Sequence, residues 1–259
     1  MITVGIDCGA RNTKIIVLHD GNIAGKDSVP TGFDQEKTTN ESLDRALKEA
    51  DLSKKDIQKI AGTGSYYEAI KMAGIRVNDL KAISKAANFF FPNARTVIDV
   101  GAEESRVVKI GQHGNILDFA INEKCAAGAG SFIESMARAL EIPLDELGAM
   151  ALESNKKILM NAQCVIFAES EVVSLIHAKI PKADISKAIH DSMANRIVSM
   201  ILRIGIHEDV TMIGGVAHNP GIVEAVKQKL QVHKIYVPEN PEFGAAVGAA
   251  IVAAEETLT

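Results

Sequence analysis

The sequence predicts an α/β protein made of two duplicated halves, and three observations carry that prediction. A unit of strand, Asp-x-Gly, strand, turn, strand occurs twice, once from Ile2–Ile6 into Asp7-Cys8-Gly9 and again from Thr96–Val100 over Asp99-Val100-Gly101. In both halves, apolar strands are interleaved with stretches of helical spacing, the pattern of layered α/β folds. The chain has 259 residues, 47% hydrophobic and 24% charged, enough for about two soluble domains of ordinary composition. No low-complexity linker separates the halves, so they are expected to pack directly, one over 1–94 and one over 95–259, with the final helix packing back on the first.

Taken in order, Ile2–Ile6 is a buried strand, Lys14–His19 a second, and Asp20-Gly21 a hairpin turn that lets Asn22–Val29 pair back. Thr38–Ala50 carries Leu43, Ala46 and Leu47 at helical spacing. Ile57–Gly62 reads as a strand running into Gly-Thr-Gly, and Tyr66–Ala73 and Asp79–Phe91 read as helices. The second half gives strands at Thr96–Val100, Ser105–Ile110 and Ile116–Ile121, then helices over Ser131–Leu140, Leu144–Leu152, Ala168–Ala178 and Ile185–Ile204. Val210–Ile213 is a strand feeding Gly214-Gly215, followed by helix Pro220–Leu230, strand Ile235–Val237 and an Ala-rich helix near Gly244–Ala254.

A net charge of −5 without any Lys/Arg-rich run argues against nucleic acid. Asp7 interrupts the apolar start too early for a signal peptide, and Gly244–Ala254 is far short of a membrane span. A cytoplasmic protein without a membrane partner is the expectation. Three cysteines give no disulfide framework and leave thiols for chemistry or packing.

Cys125 and Cys164 stand in polar turns ahead of helices, in Asn122–Phe132 and Asn161–Glu171. A helix N-terminus favours negative charge, so a thiolate or an anionic thiolate-bound cluster suits such a place. Two cysteines cannot complete a four-thiolate iron–sulfur site, but two copies meeting on a two-fold axis can. On the residues alone each is as often a buried thiol as a ligand. Cys8, inside a strand, reads as a small core residue, Phe89-Phe90-Phe91 as core, and His177, His190 and His218 as surface or cap residues.

The two Asp-x-Gly turns suit phosphate and metal chemistry. Gly9 and Gly101 let the backbone approach phosphate oxygens, Asp7 and Asp99 can hold hydrated Mg²⁺, and Lys14 can meet a phosphate as a point charge. Gly214-Gly215-Val216 offers a flat turn for a ring or sugar. No Gly-x-x-x-x-Gly-Lys-Ser/Thr occurs, so this is not a P-loop.

The order Asp7-x-Gly9, Asp99-x-Gly101, Gly214-Gly215 resembles the actin, sugar-kinase and heat-shock ATPase superfamily. Lys-Cys-Ala-Ala-Gly-x-Gly around Cys125 and Cys-x-x-Phe-Ala-Glu-Ser-Glu from Cys164 resemble a narrower group, the ATP-dependent activators of 2-hydroxyacyl-CoA dehydratases and the ATPase subunits of benzoyl-CoA reductases. The resemblance spans essentially the whole chain. It implies two duplicated ribonuclease H-like (actin-type ATPase) domains around a nucleotide cleft. It also implies one [4Fe-4S] cluster per dimer, held by Cys125 and Cys164 of each protomer, with ATP hydrolysis driving an electron from the cluster into a partner enzyme.

Carried onto this chain, the catalytic residues are Asp7, Asp99 and Glu103, and Asp7 and Asp99 hold Mg²⁺. The ATP/ADP contacts are Gly9, Ala10, Arg11, Asn12, Lys14, Gly101, Ala102, Gly128, Gly130, Gly214, Gly215, Val216 and Asn219. The implied partners are a second copy or a sister ATPase subunit, a CoA-ester reductase or dehydratase, and a ferredoxin or flavodoxin-type electron donor. The chain departs from the activators at Gly9-Ala10-Arg11, where Gly-Ser-Thr is usual, and at Ala102-Glu103-Glu104, where Gly-Gln-Asp is usual. Those departures favour an ATPase subunit of a benzoyl-CoA reductase. A homodimeric dehydratase activator is the alternative, and an actin-fold small-molecule kinase without a cluster is the reading from another class.

Overall fold

The computed structural model describes residues 1–122, 128–160 and 164–256. They form two compact units, Met1–Ala94 with Ile110–Leu117 and Glu242–Thr259, and Arg95–Lys109 with Asp118–Pro241. The fold class is α/β, with two five-stranded mixed sheets, one in each unit.

In the first unit, β1 (Ile2–Cys8) is buried at every residue because β2 (Asn12–His19) pairs with one edge and β4 (Lys59–Thr63) with the other. That environment explains its unbroken apolar run. Asp20 and Gly21 both take positive φ (50° and 79°) in the hairpin between β2 and β3 (Asn22–Pro30), as a primed turn requires. The order is β3-β2-β1-β4-β5, with β5 the short strand Ile75–Arg76. Helix α1 (Gln35–Glu49) starts where the Asp34 carboxylate accepts from the Lys37 amide, and it buries Leu43, Ala46 and Leu47. Helix α2 (Asp79–Phe90) is capped by Asn78. In the Phe89–Phe91 run, Phe90 packs on the core while Phe89 is exposed.

Tyr66–Ala73 is not the helix its composition suggests but a single 3-10 turn at Tyr67–Ala69. A side chain at Gly62 would meet Tyr67, Ile70 and Ala73 at 3.0–3.1 Å. The segment is therefore folded down over the sheet and returns at once into β5. Tertiary packing overrides local propensity there.

Helix α8 (Gly244–Glu255) is apolar on all sides because it is enclosed, packing on β1 and α2. A Cβ on Gly248 would collide with the Ala82 carbonyl oxygen and stand 2.8 Å from the Ala82 Cα. Gly5 on β1 meets α8 in the same way, with the Ala250 amide at 2.5 Å. The obstacles are backbone and cannot yield. Gly248→Ala is therefore expected to destabilise by about 3 kcal/mol, read by urea unfolding, whereas Gly74→Ala, with nothing within 4 Å, should change little.

The second unit repeats the sheet: β6 (Thr96–Val100) lies centrally between β7 (Ser105–Ile110) and β9 (Val210–Ile213), with β8 (Ile116–Asn122) and β10 (Ile235–Tyr236) at the edges. Its helices are α3 (Gly130–Leu140), α4 (Leu144–Leu152), α5 (Val165–His177), α6 (Lys182–Ile204) and α7 (Pro220–Leu230). They share one core with the sheet, centred on Phe132, Met136, Leu147, Ile189 and Ile197.

Candidate phosphate tips and cysteine helix

The register makes the duplication chemical as well as topological. Asp7 is paired across the antiparallel ladder with Lys14 and across the parallel one with Thr63, and Asp99 is paired with Arg106 and Ile213 in the same two relations. Both carboxylates are buried at 8% exposure, and each meets its cation: Lys14 Nζ lies 3.0 Å from Asp7 Oδ2, and Arg106 Nη1 lies 3.2 Å from Asp99 Oδ2. Arg106 also pairs with Glu104.

One residue past the parallel neighbour comes a glycine with positive φ, Gly64 (98°) and Gly214 (87°). A Cβ on Gly64 would lie 2.5 Å from Asp7 Oδ1, and one on Gly214 would lie 2.7 Å from Asp99 Oδ1. Each glycine therefore packs its backbone closely against one carboxylate oxygen of its aspartate, where a side chain would not fit. Gly64 and Arg106 escaped the sequence reading. The signal for both was the repeat itself, since Arg106 follows Asp99 by the interval that separates Lys14 from Asp7.

Gly9, Ala10, Arg11 and Asn12 form the β1–β2 tip, closed by the Gly9 amide on the Asn12 carbonyl at 3.2 Å. Thr31 braces it, its hydroxyl donating to the Gly9 carbonyl at 2.8 Å and its amide to the Arg11 carbonyl at 3.0 Å. Arg11 is exposed. In the second unit Gly101, Ala102 and Glu103 form the matching tip, with Glu103 exposed and the Gly101 amide donating to the Glu104 carbonyl at 2.9 Å. Gly215 stands open, and Val216 packs beside Gly130.

Three of the expected nucleotide contacts, Gly128, Gly130 and Asn219, have close protein neighbours. Gly128 and Gly130 are buried, and their neighbours are protein: Asn122 Nδ2 for the first, Val216 and the Gly101–Ala102 backbone for the second. The amides of Gly130 and Ser131 donate to the Gly101 and Ala102 carbonyls at 2.9 and 2.8 Å, so neither is free for a phosphate. Asn219 caps α7, its Oδ1 accepting from the Ile222 amide at 3.1 Å and facing His190 Nε2 at 3.1 Å.

His190 is a buried residue rather than a surface one, with Nδ1 2.7 Å from the Ser186 carbonyl. Burial pushes its pKa below the ordinary histidine value, against the opposing pull of its hydrogen bonds to Ser186 and Asn219. The unfolded chain thus takes up this proton first as pH falls. The fold should lose stability from about pH 6.5 downward, by at most about 1.4 kcal/mol per pH unit. Urea unfolding at pH 7.5 and 5.5 should show that loss in the parent and a smaller one in His190→Gln.

Cys125 lies outside the described residues. Cys164 is an exposed free thiol at the N-cap of α5. Behind it α5 shows solvent an apolar face, with Ile166 and Phe167 each 69% exposed and Val173 and Ile176 further along, while Ala168 and Val172 face the core. No helix among the described residues is long and apolar enough to cross a membrane.

Paired Asp-x-Gly tips on duplicated five-stranded sheets define the actin-type ATPase and sugar-kinase fold, and ROK-family kinases share it at low identity. Within that fold the chain belongs to the BadF/BadG/BcrA/BcrD ATPase family, whose profile matches residues 4–253. It is similar to the 2-hydroxyisocaproyl-CoA dehydratase activator of Clostridioides difficile, 35% identical over 259 residues, 99% of this chain and 96% of that one. A structure of the 2-hydroxyisocaproyl-CoA dehydratase activator with bound ADPNP matches with a TM-score of 0.93 at 34% identity, covering 100% of this chain and 96% of that one. Component A of the Acidaminococcus fermentans (R)-2-hydroxyglutaryl-CoA dehydratase matches with a TM-score of 0.96 at 33% identity, over 100% of both chains. A benzoyl-CoA reductase subunit of Thauera aromatica is 28% identical over 261 residues, 96% of this chain and 92% of that one.

Proposed function

We propose that this chain is an ATP-driven activator of a 2-hydroxyacyl-CoA dehydratase, working as a dimer that shares one [4Fe-4S] cluster. The benzoyl-CoA reductase subunit favoured by the two tip departures gives way to this reading, because the activators are the more similar relatives.

The observation that carries the cluster reading is Cys164. A structural cysteine is normally buried, but this thiol is exposed at a helix N-terminus beside an exposed apolar face. A second copy would cover Ile166 and Phe167 and bring a second thiol to the same place. The donor set fits: Cys164 and Cys125 of two chains supply four thiolates, and helix N-terminal amides favour the net negative charge. When bound, such a cluster carries one electron at low potential.

The chain's own residues would do the rest. Asp7 and Asp99 would take hydrated Mg²⁺, with Lys14 and Arg106 holding those carboxylates in place. The tips at Gly9–Asn12 and Gly101–Glu103 cradle phosphates. Glu103, exposed on its tip, would orient water. ATP acts as a conformational effector rather than as a phosphoryl donor to a substrate, and a ferredoxin or flavodoxin-type protein supplies the electron.

The test is iron and acid-labile sulfide per chain after oxygen-free purification, with molar mass on the same sample. About two iron atoms per chain in a dimer supports the reading. A folded protein that takes up no iron on reconstitution would overturn it.

A further inference from the structure

We propose that α3 is the relay by which the Asp99 tip sets the position of the helix that Cys164 caps, with Gly130 as the coupling point. The inference rests on the activator reading above and names the parts that would connect its two sites.

The first turn of α3 is bonded to the tip by the Gly130 amide on the Gly101 carbonyl (2.9 Å) and the Ser131 amide on the Ala102 carbonyl (2.8 Å). The absence of a side chain at Gly130 permits this approach, since a Cβ there would stand 3.1 Å from Val216 Cγ2 and 3.2 Å from the Gly101 oxygen. The tip is in turn tied to the sheet through Arg106, which bridges Asp99 and Glu104. A change of partner at Asp99 therefore reaches α3 through two backbone hydrogen bonds and one guanidinium.

From α3 the displacement passes to α5. Along its length α3 packs against α5, with Phe132 and Met136 in the same core as Ala168 and Val172, and the N-cap of α5 is Cys164. Helix α3 is thus both bonded to the tip and packed on α5. Close-packed helices move as units rather than deform, so a shift of the first turn of α3 carries α5 and its Cys164 cap with it.

The joint also holds two buried hydroxyl oxygens without a hydrogen-bond partner among the described residues, Ser105 Oγ at the start of β7 and Ser131 Oγ in the first turn of α3. An unmade hydrogen bond in a buried place costs about 1–3 kcal/mol. A second arrangement of tip and helix that satisfied either hydroxyl would offset part of the cost of breaking the present contacts, as a two-state element requires.

Two measurements on the oxygen-free holoprotein test the relay. The first is hydrogen exchange without nucleotide and with saturating Mg-ADPNP. Peptides over 99–105, 128–134 and 164–172 should change protection together, while 222–230 in α7 stays constant. A response at 99–105 with none at 128–134 would overturn the relay and leave the activator reading standing. No response at 99–105 with nucleotide demonstrably bound would remove both the relay and the phosphate role of this tip.

The second is the rate at which an iron chelator strips the cluster, expected to differ about tenfold between the two nucleotide states in the parent. Gly130→Pro deletes the amide donor at the first helical position, where proline is tolerated, and Ala129 before it is already extended (φ −124°, ψ 174°). In that variant the ratio should fall towards one at nucleotide concentrations that saturate it. A parent-like ratio in Gly130→Pro refutes the relay. Should that variant fail to fold, the exchange measurement decides alone.

Discussion

Cys164→Ala should lower iron from about two atoms per chain to almost none while leaving the fold intact. The thiol is exposed and makes no side-chain capping bond, so its loss removes no packed surface. Stability should change by about 0.5 kcal/mol or less, as at other surface positions. Cys8→Ala should do the reverse. Cys8 is fully buried with its sulfur 3.5 Å from Thr13 Oγ1, and burial raises its thiol pKa, so it is held as a neutral core thiol. That variant should lose about 1 kcal/mol and keep its iron. Iron analysis with urea unfolding on both variants separates ligand from core residue. Full iron in Cys164→Ala would end the cluster assignment.

That Cys8 is buried and Cys164 exposed was legible in the sequence because burial here follows local context, a strand interior against a polar turn before a helix. So were the central strands, and β6, β7 and β9 begin and end where their apolar runs do. What the sequence hid was which residues stand opposite one another. Arg106 matters because register places it across from Asp99, and Gly64 because the parallel pairing of β4 with β1 brings it under Asp7. Neither relation has a local signature. Tyr66–Ala73 misled for the converse reason, a helix-compatible composition drawn over Gly62 by contacts distant in sequence. His190 resembled a surface histidine until α4, α6 and α7 closed around it. Gly130 was legible as a residue that needed closeness, and the close neighbour is the Gly101–Ala102 tip.

Asp99→Asn should reduce ATP turnover on the order of 10²-fold with a smaller effect on folding. The asparagine keeps the shape that Gly214 packs against and can still accept one hydrogen bond from Arg106, but it removes the charge a hydrated Mg²⁺ would meet. Arg106 retains Glu104, so the guanidinium is not stranded, and the penalty should fall below the roughly 3–5 kcal/mol of a buried pair broken outright. Asp99→Ala loses shape and charge together and should approach that range. The discriminating measurement is Mg²⁺ dependence. If Asp99 holds the metal, the Mg²⁺ concentration for half-maximal turnover rises in Asp99→Asn, and the shift persists at saturating ATP. If Asp99 only braces the hairpin through Arg106, Asp99→Asn keeps the parent's Mg²⁺ requirement, and its loss of turnover follows its loss of stability. Asp7→Asn makes the same comparison in the first unit, where the cation is Lys14 and the strut is a single ammonium. A metal role at both aspartates predicts equal shifts in Mg²⁺ requirement despite unequal struts. Bracing alone predicts that the two variants differ as lysine differs from a doubly paired arginine.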